Sequence, residues 1–416
     1  MSLSKLRLRA VECALVPSVV VAALGILQPG IDPVFLALIS NAHGLEPALH
    51  GWIVSATQAG LALGSLMSLV AGSRLPAFAF AGTMAAAVLM ALLTSVTGDF
   101  AALLILRTLH GVAMGMLYTQ AMAHAARMRT NGAFAFAFLL QLALSTIVAA
   151  ILPVLAQTMG APMALAVLAL APLVCLIVVL FAPGALGLEG GQGAVGSSGG
   201  RADVLPVSGS AGKADGALPV QLGLAALALF CFVCATMMVW SLTGAMAMAA
   251  GFDDKTIGMA VSIGSLVGAV TALAVFRERV IVSPRLTALL CGLCLMAPVA
   301  GARSGDAVQF VAALILFNIG STAIVIRCSG FAAAEALRRS QTAMRFVYCV
   351  QSTAMIAGPS IGSLAAMTGR EDGPLMPAAV AVVLGCFALA AWHWRERGRF
   401  GRLMPERAAK PLPQIA

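Results

Sequence analysis

Asp32 stands inside an apolar run, Ala14 to Ser40, that is long enough to cross a lipid bilayer. A carboxylate near the bilayer interior costs at least a few kcal/mol, so it is rarely kept without a task. Gln28 lies four residues earlier, on the same helical face. Pro29, Gly30 and Pro33 flank the acid and weaken the helix where a site could open. A second charge, Arg107, lies in a separate apolar run at similar depth. Asp32 is about seven residues from the end of its run and Arg107 eight from Asp99, or about 11 and about 12 Å by helical rise. An acid that is alternately paired and desolvated takes up and releases a proton. A permanent ion pair that locks the surrounding helices is the other reading of the same two residues.

His110, Gly111, Met114 and Tyr118 follow Arg107 on its face and, with Gln28, could form one wall of a binding site. Gln58 and Gln141 add amides in neighbouring runs. Trp240, Ser241, Asn318 and Gln351 are the candidates for the opposite wall, and each of these residues is equally readable as packing. Trp240 adjoins Val239, which lies 207 residues after Asp32, so an aromatic stands near the level of the acid. Arg327 sits about four residues from the end of its run, where a long side chain snorkels to the interface or gates it. Its other reading is an anion contact.

Other chemistry is weaker. Cys231-x-x-Cys234 and Cys291-x-x-Cys294 fall in apolar runs, where cysteine behaves as a small hydrophobe. His110 with Met114, and 21 methionines, bring a soft-metal carrier to mind, but methionine more often fills irregular packing. Gly212-Lys213 ends no phosphate loop, because Val207 and Ala214 stand where Gly and Ser or Thr are needed. No Ser-His-Asp or Cys-His grouping is placed for catalysis, so the expectation is no enzyme, no cofactor and no metal.

The elements that must position these residues are membrane spans. Of 416 residues 61% are hydrophobic and 10% charged, with mean hydropathy +0.99, against about 25% charged in soluble domains. Spanning runs occur near 13–40, 52–71, 76–97, 100–124, 132–157, 161–182, 219–249, 256–276, 284–301, 307–331, 343–367 and 375–394. The first follows a basic start but outlasts a signal-peptide core, which reads as an uncleaved helix. These twelve helices predict an all-α membrane protein. Its parts are a six-helix bundle over 1–183, a Gly/Ser-rich cytoplasmic linker over 184–218, a second bundle over 219–394 and a basic tail over 395–416. With the N-terminus in the cytoplasm, 20 of the 25 Lys and Arg fall on that side and only Lys255, Arg303 and Arg370 outside, which makes both termini cytoplasmic. The +9 net charge is thus a topology signal; with basic residues in short tails and loops and few aromatics to stack on bases, no nucleic-acid partner is expected. All nine cysteines lie in apolar runs, leaving no disulfide framework.

The halves echo each other. Gly44-Leu45-Glu46 through Gly51 matches Gly251-Phe252-Asp253 through Gly258, and Val54-Ser55 matches Val261-Ser262, at an offset of 207. Ala101–Leu106 matches Ala312–Phe317 at 211, and Leu155–Gly160 matches Leu364–Gly369 at 209. Near-constant offset in corresponding helices argues for a duplicated, pseudo-symmetric six-helix unit.

On these features the chain resembles the major facilitator superfamily over essentially its whole length. The fourth helix carries Arg107, Gly111 and Gly115 in the family's Arg-x-x-x-Gly-x-x-x-Gly pattern. The eleventh carries Gly358-Pro359-x-x-Gly362, like the antiporter-type motif that normally sits in the fifth helix, where this chain reads Ala149-Ala150-Ile151-Leu152-Pro153. The loop after the second helix has Ser73 where the family has aspartate, followed by Arg74; the equivalent loop of the second half keeps Arg277-Glu278-Arg279. The resemblance implies gating roles for Arg74, Glu278 and Arg279, with Arg327. It also implies that every third helix is outer scaffold. The charged and amide side chains fit that pattern: they lie in the first, second, fourth, fifth, tenth and eleventh runs, and the third, sixth, ninth and twelfth have essentially none until their ends.

The expected function is secondary transport of a small amphipathic or weakly polar organic solute across the cytoplasmic (inner) membrane, as proton-coupled efflux of a drug or metabolite. The expected partners are that solute, protons and membrane lipids, with the chain acting as a monomer. Uptake or facilitated passage of an organic anion, with Arg107 and Arg327 as counter-charges, is the alternative. A non-transporting sensor or assembly factor and a soft-metal carrier are the alternatives from other classes.

Overall fold

Proline decides the shape of the first span. Pro29 has no N–H to return to the Gly25 carbonyl, and the helix breaks at residues 26–27, giving α1 over residues 16–25 and α2, Gln28–His43. The sixth span breaks in the same way. Pro172 has no N–H to give the Leu168 carbonyl, which accepts instead from the Ala171 N–H at 3.2 Å, and the span divides into α7, Ala161–Val167, and α8, Leu170–Phe181. The computed structural model describes residues 16–71, 75–128, 133–188, 220–276, 283–337, 339, 341–369 and 375–407.

The other helices are α3, His50–Ala71; α4, Ala77–Val96; α5, Phe100–Met128; α6, Ala133–Met159; α9, Val220–Ala249; α10, Asp254–Phe276; α11, Pro284–Arg303; α12, Ala307–Leu337; α13, Gln341–Ala366; and α14, Leu375–Arg407. Two short 3-10 turns, Pro47–Leu49 and Pro183–Leu186, complete the described structure, which contains no strand. The linker expected from residue 184 starts with an ordered turn, since Leu186 is fully buried and its carbonyl accepts from Gln120 Nε2 at 3.4 Å. α14 runs on helically into the expected tail, as far as Arg407.

Twelve apolar spans are expected; among the described residues eleven qualify by length and composition, counting α1 with α2 and α7 with α8 as one span each. The difference is α13. It has the length, but Arg345, Gln351 and a series of hydroxyl residues lower its apolar content. Large apolar side chains such as Leu69, Phe78, Phe181 and Phe387 stand exposed around the helices. Lipid is the solvent that tolerates such a surface, and the chain is a multi-pass membrane protein.

Burial sorts the spans. In the first and seventh, 72% of the most apolar stretch is buried, against 33, 33 and 28% in the third, sixth and twelfth, as expected of outer helices. The ninth departs from that expectation at 50%, because α11 packs on α9, α12 and α14, and the fifth is as peripheral as the third at 33%. α2 and α9 therefore form the centre, and they touch.

Glycines set the closest approaches. A Cβ at Gly60 or Gly64 of α3 would strike the Thr108 or Val112 carbonyl of α5, and one at Gly111 or Gly115 of α5 would strike the Thr57 or Leu61 carbonyl of α3. Backbones this close are the usual product of small residues spaced by four in membrane helices. Gly358 and Gly362 do the same for α13 against Cys234, Met237 and Met238 of α9.

Candidate functional site

The α3–α5 glycine contact delivers the first polar partner. It brings Thr57 Oγ1 to 3.2 Å from the Nε of Arg107, which donates to it, while Thr57 donates to the Ile53 carbonyl at 3.0 Å. Arg107 is 2% exposed, its guanidinium lies 4.8 Å from the centre of the Phe35 ring of α2, and its Nη2 has no hydrogen-bond partner in the protein. A cation over a ring face is attracted by the ring quadrupole, more so when desolvated.

Asp32 is likewise 2% exposed. Gln28 Nε2 donates to its Oδ1 at 3.0 Å, confirming the shared face, while Oδ2 is buried without a protein partner. Asp32 and Arg107 make no hydrogen bond or ion pair with each other in this state. Two buried opposite charges, each with a free polar atom, constitute an unfinished network, costly to hold and sensitive to small rearrangements.

Both helix breaks open onto one internal cavity. Leu24, Gly25, Leu27 and Gln28 line it from the first span, Leu168, Ala171 and Pro172 from the sixth, and Thr57, Arg107, His110 and Met114 from α3 and α5. Its free volume is about 30 Å³, room for one or two water molecules. Gln28, His110 and Met114, expected to face an organic solute, line this small space. His110 is fixed by Nδ1, 3.2 Å from the Ala87 carbonyl of α4. Tyr118 packs against Gly25, where an added Cβ would lie 3.0 Å from its own.

The remaining candidates separate. Gln141 donates to Ser145 Oγ at 3.1 Å, and the pair abuts Gly30 of α2. Asn318 donates to the Leu314 carbonyl at 2.9 Å and faces Gly264 and Gly268 of α10, so its amide sits in a helix contact. Ser241 donates to the Met238 carbonyl at 3.1 Å within α9. Gln58 is 4% exposed with an unpartnered Nε2, and Gln351 is half-buried. Arg327 donates to Thr287 Oγ1 of α11 at 2.9 Å. Arg74, Glu278 and Arg279 lie outside the described residues. Cys231, Cys234, Cys291 and Cys294 are free thiols, and among the described residues no group of three or more His, Cys, Asp or Glu is placed to hold a metal.

Helices before residue 184 meet helices after residue 219 at the end marked by His43 and Asp254. Asn41 Nδ2 donates to both carboxylate oxygens of Asp254 at 2.8 and 2.9 Å, Ser55 donates to the Ile356 carbonyl at 2.8 Å, Ser360 donates to Ser55, and Ser262 donates to the Thr146 carbonyl at 2.8 Å. Deeper along α2, the indole N–H of Trp240 donates to the Pro29 carbonyl at 2.6 Å. Sequence reading passed over Thr57, Phe35, His50 and the Ser55–Ser360 pair. Gly60-x-x-x-Gly64, facing a matching pair in α5, was the available signal for Thr57. His50 starts α3, yet it is fully buried, 2.6 Å from Ser40 Oγ through Nε2, because the Pro47–Leu49 turn tucks it under α2.

No protein-family model matches the chain, and no curated protein matches it in sequence. Solved structures do match in fold. A bacterial homolog of the human lysosomal transporter Spinster, in an inward-facing and occupied conformation, superposes with TM-score 0.64 at 13% identity, covering 93% of this chain and 97% of that one. A mutant of the nucleoside transporter NupG gives 0.64 at 13%, covering 91% and 99%. The POT family transporter PepTSo gives 0.67 at 11%, covering 92% and 98%. With its multi-pass helices and these neighbours, the chain has the fold of major-facilitator-type transporters.

Proposed function

We propose that this protein is a secondary active transporter that exports a small amphipathic or weakly polar organic solute across the cytoplasmic membrane in exchange for protons. Two six-helix halves, 1–183 and 219–394, joined by the 184–218 linker and followed by the 395–416 tail, alternate in access with both termini cytoplasmic. On that orientation, the hydrogen-bonded end at His43 and Asp254 is the outer one, and this state is closed to the outside.

Asp32 and Arg107 carry the reading: two buried, opposite, unpaired charges at matching depth, one of them on a broken helix. In the unpaired state Asp32 is ready to be protonated, and pairing with Arg107 in another state releases the proton. The cavity beside Arg107 is too small for an organic solute and serves the proton. The solute site lies between the halves, where Gln58, three residues past Ser55, and Gln351, five before Ile356, both sit about one turn from the α3–α13 closure.

A thermal-shift screen of purified protein at acidic and alkaline pH identifies a solute, since a ligand stabilises the folded state by mass action. Proteoliposome transport of that solute then tests the mechanism. Asp32→Asn is expected to abolish transport driven by a pH gradient while leaving exchange of solute for solute. Full pH-gradient dependence in Asp32→Asn refutes the proposal.

A further inference from the structure

We infer that Trp240 is a positioning residue through which closure of the two halves sets the turn that carries Asp32. Pro33 has no N–H, so the Pro29 carbonyl lacks the donor that the next turn of α2 would supply. Trp240 supplies one from the other half, at 2.6 Å. Its indole is held in turn by stacking on Phe317, with ring centres 5.4 Å apart and planes within 2°. One turn further along α9, Gly244 lies against the backbone of Pro33, where a Cβ would strike the Pro33 carbonyl. On the other side, Gly30 abuts Gln141 and Ser145 of α6. Residues 29–33 are therefore gripped between α6 of one half and α9 of the other, and Asp32 is inside the grip.

This grip exists only while the halves are joined here. When they part, the Pro29 carbonyl loses its donor and the turn around Asp32 is free to rearrange toward Arg107. Two equilibria that share one element bias each other reciprocally. The titratable groups facing this turn are Arg107 and His110 of α5. His50 of α3 lies farther along α2 at Ser40, Asp254 of α10 lies at Asn41, and α6, α7 and α9 bring no acid, base or histidine. The inference rests on the reading of Asp32 as the proton-carrying acid.

Hydrogen–deuterium exchange of the full chain in lipid nanodiscs tests it without a solute. Trp240→Phe keeps an aromatic ring and removes the N–H; amides of residues 30–36 are expected to exchange about fivefold faster. Adding Pro33→Ala returns an intrahelical N–H to the Pro29 carbonyl and is expected to restore protection in the double variant. If Trp240 acted by bulk alone, the double variant would exchange at least as fast as Trp240→Phe, and the inference falls.

The second arm follows the pH dependence of protection, corrected for intrinsic exchange, at residues 51–55 and 356–363. The wild type is expected to respond to pH, and both Asp32→Asn and Trp240→Phe to be flat. A wild-type pH response in Trp240→Phe beside a flat Asp32→Asn overturns the inference and leaves the proton reading standing. A wild-type response in Asp32→Asn overturns the proton reading itself.

Discussion

Replacing Thr57 by valine removes one oxygen from the protein's interior and leaves the shape almost unchanged. That oxygen accepts the Nε–H of Arg107 at 3.2 Å, and Arg107 is already short of a partner at Nη2. A hydrogen bond to a charged group contributes about 1.5–3 kcal/mol, and a buried charged donor left unsatisfied costs at least as much. Thr57 also gives up its own donation to the Ile53 carbonyl, but that carbonyl lies within α3 and keeps its helical partner, so the loss there is small. Valine puts a slightly larger methyl where the hydroxyl stood, so the glycine contact at Gly60 and Gly111 and the cavity beside Arg107 should change little. The expected result is a loss of about 1.5–3 kcal/mol in unfolding free energy, measured by denaturant titration in mixed micelles. Thr57→Ser, which keeps the hydroxyl, should lose less than half as much. Equal losses in the two variants, or no measurable loss in Thr57→Val, would refute the assignment of Thr57 as the partner that makes Arg107 tolerable in the membrane.

Two further expectations follow from the packing and the caps. Gly111→Ala places a methyl against the Thr57 carbonyl and within 3.0 Å of the Leu61 nitrogen, atoms that cannot move without shifting α3; overpacking of this kind costs about 1–3 kcal/mol, and thermal unfolding against Gly82→Ala, which faces open space, provides the control. Asp253, outside the spans, caps α10 by accepting the Thr256 N–H at 3.0 Å, and its hydrogen bonds with Thr256, side chain first and backbone second, hold its carboxyl below the usual carboxylate range. The unfolded state then binds more protons, so the cap's contribution, about 1 kcal/mol, is complete above the unfolded pKa of about 3.9 and lost as pH falls through the lower folded value. Amide exchange at the start of α10 in Asp253→Ala should therefore be faster than wild type near neutral pH and converge with it in strong acid.

Much of the architecture was legible because the bilayer leaves few choices. A backbone in hydrocarbon must satisfy its own hydrogen bonds, so long apolar runs become helices, and their lengths and the loop charges follow directly from the residues. Asp32, Gln28 and Arg107 were legible for the same reason: polar groups stand out where nearly everything else is apolar. α13 was legible as a helix from its length between loops, although its polar face keeps it from counting as apolar. The ninth span carries essentially no charged or amide side chains until its ends, yet is half-buried against α9, α12 and α14, because a helix can be covered by protein as readily as by lipid.

Residue types and helical periodicity alone determined which groups could carry charge into the membrane and that Gln28 would share a face with Asp32. Which prolines break their helices was left to the packing, since the first and sixth spans divide before Pro29 and Pro172 while Pro33, Pro153, Pro298 and Pro359 stay inside continuous helices. Only the tertiary structure decided what each group meets. It assigned Thr57 and Phe35 to Arg107, sent Asn318 to a helix contact, reduced the space beside His110 to a water-sized cavity, and satisfied the Pro29 carbonyl from a tryptophan 211 residues away. Periodicity fixes the direction of a side chain from its own helix axis. The partner depends on which glycines let two helices approach and on how far each is rotated, quantities set by the packing of all the helices together.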